Sequence, residues 1–138
     1  MLGIPIHFYF VHFPIALTII AATYDLRAHF GKRPELYPTG YTLILWAAAG
    51  AALAATTGLQ MLGNRNAVKF ATVHAALGLG TGLVLIAVAM SRYSAQARQN
   101  EGASENLQAW LILEIIAVAG VIAAAITGHR LVLGLILL

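Results

Sequence analysis

The feature that most constrains this chain is a set of four long apolar runs, near residues 6–28, 41–62, 70–91 and 107–130, separated by short polar segments. A bilayer hydrocarbon core about 30 Å thick is crossed by roughly 20 apolar residues of helix, so each run is long enough for one crossing. Little is left over for a water-soluble domain. With 60% hydrophobic and 9% charged residues, the 138-residue chain has too few charged groups to cover a soluble surface. We therefore read residues 1–138 as a single all-α domain, a four-transmembrane-helix bundle in the lipid bilayer. No Lys or Arg precedes Arg27 and no small-residue cleavage site follows a basic leader, so the first run is expected to stay as a helix and not to be removed as a signal peptide.

The connections divide the histidines between two ends. Residues 1–9 open with Pro5 and His7 and lead into the aromatics Phe8, Tyr9 and Phe10, a composition suited to the membrane interface. Pro14 fixes the backbone just after His12. Residues 29–40 are dense in Gly, Pro and charge and read as the first loop, residues 63–66 as a tight turn, and the polar segment 91–106 as the longest and most mobile loop. Four alternating spans then bring His7, His12, His74 and His129 to one end, with His29 at the other. The histidine end carries Arg65, Lys69 and Arg130, whereas the opposite end carries Arg27, Lys32, Arg33, Arg92 and Arg98. By the positive-inside rule, this places the histidines and both termini outside, on the periplasmic face if the membrane is a bacterial inner membrane.

Short motifs recur in the two halves. Val11-His12 opens the first run and Val73-His74 the third; Ala55-Thr56-Thr57-Gly58 closes the second and Ala125-Ile126-Thr127-Gly128 the fourth. These suggest two tandem helical hairpin repeats about an axis along the membrane normal, with His12 and His74 as equivalent positions facing each other. Chance likeness between alanine-rich helices is the competing reading.

With no cysteine, the chain lacks thiolate ligands and covalent haem attachment, so nitrogen and oxygen ligands remain. A net charge of +3 from scattered Lys and Arg gives no basic run, and nucleic acid is not an expected partner. A histidine at a helix end is commonly interfacial, and His7 and His29 are read that way. His12, His74 and His129 lie inside or at the rim of the spans, where ionisable residues are costly and face the bundle interior. Neutral imidazole binds haem iron, copper and zinc. Haem b suits the pattern best. His12 and His74 would be its metal ligands, and His129 an alternate ligand or propionate partner. Gly78 and Gly82 beneath His74, with Gly50, Ala54 and Gly58 on the second span, would leave a planar slot. Those small residues could equally serve helix packing, and a copper or zinc site from His12, His74, His129 and His7 is the rival chemistry. Asp25 is expected to pair with Arg27 or the first loop. Glu114 can be read as a protonated acid, an interhelical hydrogen-bond donor or part of a proton path, facing the same interior as His129.

These residues point to a membrane b-type cytochrome-like electron-transfer subunit, non-catalytic in itself, working with other membrane or periplasmic redox subunits and a quinone. The alternatives are a cofactor-free structural accessory subunit and a histidine-ligated copper or zinc protein. A transporter ranks below these, because four spans are few. The run Val11-His12-Phe13-Pro14-Ile15-Ala16-Leu17 followed by Asp25, the helix ending in Thr57-Gly58, the helix-opening His74 and the closing Thr127-Gly128-His129 resemble the small bacterial membrane proteins grouped as domain-of-unknown-function family 2231. The family opening usually shows a His-Pro pair a few residues earlier; here Phe8 follows His7. The resemblance implies a four-helix membrane protein, in other proteins sometimes joined to Rieske-type iron–sulfur domains, and hence a redox setting.

Overall fold

The computed structural model describes residues 6–61, 68–100 and 107–136, with side chains over 7–60, 72–95 and 109–130. Four helices account for nearly all of them: α1 (Ile6–Phe30), α2 (Tyr37–Met61), α3 (Val68–Asn100) and α4 (Leu107–Ile136). All four are long and apolar enough to span a membrane. The expected turn at 63–66 and Pro5 lie outside the described residues.

Three boundaries differ from expectation for local reasons. The first loop shrinks to residues 31–36, because α2 starts at Tyr37 with Pro38 in its first turn, where the missing N–H costs nothing. The segment read as a long mobile loop from residue 91 is helical as far as Asn100. Its Arg, Ala and Gln residues are good helix formers, and the first breaker, Gly102, comes later. Helix α4 likewise continues through the apolar tail to Ile136.

The α1–α2 connection is closed by a C-cap. Gly31 N–H donates to the Arg27 carbonyl at 3.0 Å and Arg33 N–H to the Ala28 carbonyl at 2.9 Å, around Lys32 in the left-handed region at φ 52°. A 3₁₀ turn over Pro34–Leu36 follows, with an exposed Arg33–Glu35 ion pair at 3.0 Å. A lysine in the left-handed region costs about 1 kcal/mol relative to glycine. Lys32→Gly is therefore expected to raise the stability of the detergent-solubilised protein by about that amount in equilibrium unfolding; an unchanged or lowered midpoint would contradict this account of the cap.

The bundle is a ring. Helix α1 lies beside α2 and α4, α3 lies beside the same two, and α1 faces α3 across the centre. Small residues fill the interior: Ala21, Ala47 and Ala117 are fully buried, packed with Ile44, Leu85 and Val88. Trp46, Leu83, Met90, Ile112, Ile116 and Ile126 face outward. Apolar side chains outside and small ones inside suit helices that associate in lipid by close packing and not by excluding water.

The contacts repeat between the two hairpins. Gly50 on α2 packs on Pro14 and Phe13 of α1, and Gly120 on α4 packs on Thr81 of α3. Gly58 lies on the His7 ring and Gly128 on the His74 ring, an added Cβ coming within 2.9 Å of Cε1 in each case. Gly40 abuts the Asp25 carboxylate and Trp110 stacks on Arg92. A single offset relates Pro14 to Thr81, His7 to His74 and Asp25 to Arg92, and another relates Gly40, Gly50 and Gly58 to Trp110, Gly120 and Gly128. The hairpin repeat is thus present, but in a different register from the one Val-His suggested: His7, not His12, is the counterpart of His74.

Candidate functional site

At one end of the bundle, His7 of α1 and His74 of α3 meet across the centre, ring centres 6.2 Å apart and planes at 82°. Both rings are part-buried and each is held by the helix beside it. His74 Nδ1 lies 3.0 Å from the Ala124 carbonyl and 3.4 Å from Thr127 Oγ1. His7 Nδ1 lies 3.2 Å from Thr57 Oγ1. A carbonyl can only accept, so His74 Nδ1 carries the proton and donates it. The Thr57 hydroxyl directs its own hydrogen to the Leu53 and Ala54 carbonyls, at 2.9 and 3.1 Å, which leaves it to accept from His7 Nδ1. Each ring in its neutral form is thereby set as the Nδ1–H tautomer, and no hydrogen bond to either Nε2 is made among the described residues. Metal-ligating histidines are commonly oriented in this way, one ring nitrogen tied to a backbone or side-chain oxygen and the other left for the ligand bond.

His12 does not join this pair. Five residues along a helix turn the chain about 140° away from the direction of His7, and His12 faces outward with its Nδ1 donating to the Phe8 carbonyl at 2.6 Å. Its counterpart on α3, Leu79, also faces out. The expected His12–His74 pairing is therefore corrected to His7–His74, and the purely interfacial reading of His7 gives way to a packed, hydrogen-bonded ring. His129 is exposed beside Gly128 and does not converge with the pair. Of the glycines, Gly78 has open space where its side chain would be, nothing lying within 4 Å, and Gly82 has the Ala51 Cβ alone, at 3.8 Å. Gly50 and Gly58, expected to line the same slot from α2, instead pack against α1. Among the described residues no group of three or more His, Asp and Glu side chains converges as a metal site.

The opposite end holds a buried ionic cluster. From His7 to Asp25 is about 27 Å along α1 at 1.5 Å per residue, close to the hydrocarbon thickness of a bilayer. Asp25 is fully buried and forms a two-pronged ion pair with Arg92 of α3: Nη1 on Oδ2, and Nη2 on Oδ1 at 3.2 Å. Arg92 Nη2 also donates to the Tyr37 carbonyl at 2.8 Å, and its guanidinium lies 4.4 Å from the Trp110 ring centre and 5.4 Å from that of Tyr41. Asp25 was expected to pair with Arg27 or the loop. The extension of α3 past residue 91 instead carries Arg92 inside the bundle. Glu114 of α4 is fully buried beside this pair, facing Asp25 and Arg92, and among the described residues no donor reaches either of its oxygens. Glu114 and His129 thus point different ways, one into the centre and one out.

A signal for both ends was present in the sequence. His7 stands as far before Asp25 as His74 stands before Arg92. Aligning the halves on that spacing selects His7 and predicts that Asp25 meets Arg92, whereas the Val-His dipeptides gave the wrong register.

Two equivalent membrane-spanning hairpins, joined across the centre by a histidine pair at one end and a buried ion cluster at the other, make this a small polytopic helical membrane protein. The chain belongs to the family described as predicted membrane protein (DUF2231), whose model matches residues 3–135. The comparisons with curated proteins and with solved structures returned no match.

Proposed function

We propose that this membrane protein is a b-type cytochrome-like electron-transfer subunit in which His7 and His74 would hold one haem. The observation that carries the reading is the facing of these two rings with both Nδ1 atoms tied to neighbouring helices. With their centres 6.2 Å apart, the two rings are near enough to each other that one bound metal could be shared between them. Two protein ligands suffice for haem, whose macrocycle supplies the other four nitrogens; copper or zinc alone would ask for three or four. The open space at Gly78 gives room beside His74. Haem held there would take up and release one electron. The chain's own residues would fix the imidazole tautomers through Thr57, Ala124 and Thr127, and keep the surroundings apolar.

In this reading the protein serves a bacterial inner-membrane redox assembly, with the histidine end outside, partnered by other membrane or periplasmic redox subunits and exchanging electrons with them or with a quinone. The sidedness follows the charge bias of the connections, which with Arg92 inside the bundle is Arg27, Lys32, Arg33 and Arg98 against Arg65, Lys69 and Arg130. A pyridine haemochrome spectrum with metal analysis on the purified protein tests the proposal. Wild type should carry haem b. His7→Ala and His74→Ala should lose it, while His12→Ala and His129→Ala keep it. Gly78→Leu, which would enter open space, should lose haem while the helical fold persists. Wild type without haem, or a His7→Ala protein with full haem content, would sink the assignment.

The seating of each ring on a glycine of the adjacent helix favours a second reading, a cofactor-free accessory subunit in which the histidines pin helices together. There, His7→Ala and His74→Ala lower stability and wild type has no haem spectrum.

A further inference from the structure

The Asp25–Arg92–Glu114 cluster plays no part in the histidine site and lies at the other end of the bundle. Its composition is unbalanced. Arg92 neutralises Asp25 through both guanidinium prongs, and Glu114 adds a second carboxyl with no cation of its own. An ionised carboxylate without compensation at this depth is expensive. Two carboxylates set side by side are both acceptors, so their contact has no hydrogen bond unless one of them carries a proton. Among the described residues neither Glu114 oxygen has a donor, and the side chain is fully buried. Packing alone does not call for an acid there, because the equivalent position in the first hairpin is Ile44, equally buried. The hairpin repeat thus provides an internal control: the same place in the same fold is satisfied by a hydrocarbon side chain.

We propose that Glu114 and Asp25 form a proton-binding site that holds one exchangeable proton between their carboxyl groups beside Arg92. The groups facing it are Asp25 on α1, Arg92 on α3 and, over the guanidinium, the Tyr41 ring on α2 and the Trp110 ring on α4. A metal cation is the poorer occupant. Asp25 has both oxygens engaged by Arg92, which leaves the two oxygens of Glu114 as ligands, next to a guanidinium that repels cations. When the proton leaves, the Glu114 carboxylate competes with Asp25 for Arg92, so occupancy of the site is coupled to the tie between α1 and α3.

The test is pH-difference infrared spectroscopy of the full chain in lipid vesicles. Wild type at neutral pH should show a carboxylic-acid C=O band that shifts in D₂O and is lost on raising the pH. The band should be absent in Glu114→Gln and in Glu114→Ile. The isoleucine variant copies the Ile44 environment and should fold with stability equal to or above wild type, so it remains informative if the glutamine variant fails to fold. No protonated-carboxyl band in wild type, or a band that persists in both variants, would overturn the proposal. So would loss of the band on adding sodium, potassium or magnesium at constant pH, which would make Glu114 a cation ligand. None of these readings depends on haem: each is taken on the difference between wild type and the Glu114 variant, in which any band from a haem propionate cancels, and haem content is measured separately.

Discussion

Arg92→Met is expected to lower the stability of the bundle by about 3 kcal/mol or more, because it leaves the Asp25 carboxylate buried without its partner. The loss is read as a shifted midpoint in equilibrium unfolding of the detergent-solubilised protein. The guanidinium is bound on every side: by both carboxylate oxygens, by the Tyr37 carbonyl and by the faces of Trp110 and Tyr41. It is also one of the side chains through which the diagonal helices α1 and α3 are joined. Removing both partners should hurt much less than removing one, since an apolar pair of similar volume needs no desolvation of charge. Asp25→Leu with Arg92→Met should therefore recover most of the loss. A double variant as unstable as Arg92→Met alone would show that the two residues act through different neighbours.

Gly128→Val is the second change with a large expected effect. A Cβ at residue 128 would already lie 2.9 Å from His74 Cε1, closer than real contacts allow, and the branched methyls of valine would add to the overlap. The ring would have to leave the Ala124 carbonyl and withdraw from His7. Overpacking of this kind costs about 1–3 kcal/mol, and the lost hydrogen bond adds about 1 kcal/mol. Gly80→Val is the matched control, because residue 80 is exposed and has nothing within 4 Å of its Cβ position; it should unfold at nearly the wild-type midpoint. Equal effects of the two substitutions would show that the glycine beneath His74 is not a seat for the ring.

The four spans and their up-and-down order were legible because hydrophobic length is a strong signal in a chain with so few charges. The family resemblance was legible in Val11-His12-Phe13-Pro14 and the Thr-Gly helix endings. What sequence reading missed lay in rotation and register. His12 sits in the most recognisable motif, yet a turn of about 140° from His7 sends it outward, and pattern matching carries no information on which way a ring faces. Arg92 was hidden by the polarity of the segment that follows it. Arginine, serine and glutamine suggest a loop by composition, but arginine and glutamine prolong a helix readily when no glycine or proline intervenes. Glu114 stood out as an acid within a span. Its neighbours could be named only once Asp25 and Arg92 were known to share an end of the bundle.

The repeat gives the Asp25–Arg92 pair a further meaning. The two residues occupy equivalent places in the two hairpins, so a bundle made from two copies of the first hairpin would bring two aspartates together, and one made from two copies of the second would oppose two arginines. Two arginines at that depth repel without water to screen them and two aspartates would have to take up a proton, so each hairpin pairs less well with its own kind than with the other. The buried ion pair thus works as a recognition mark. It makes the first half of the chain complementary to the second and not to itself, in a fold whose near-symmetry would otherwise leave the choice open.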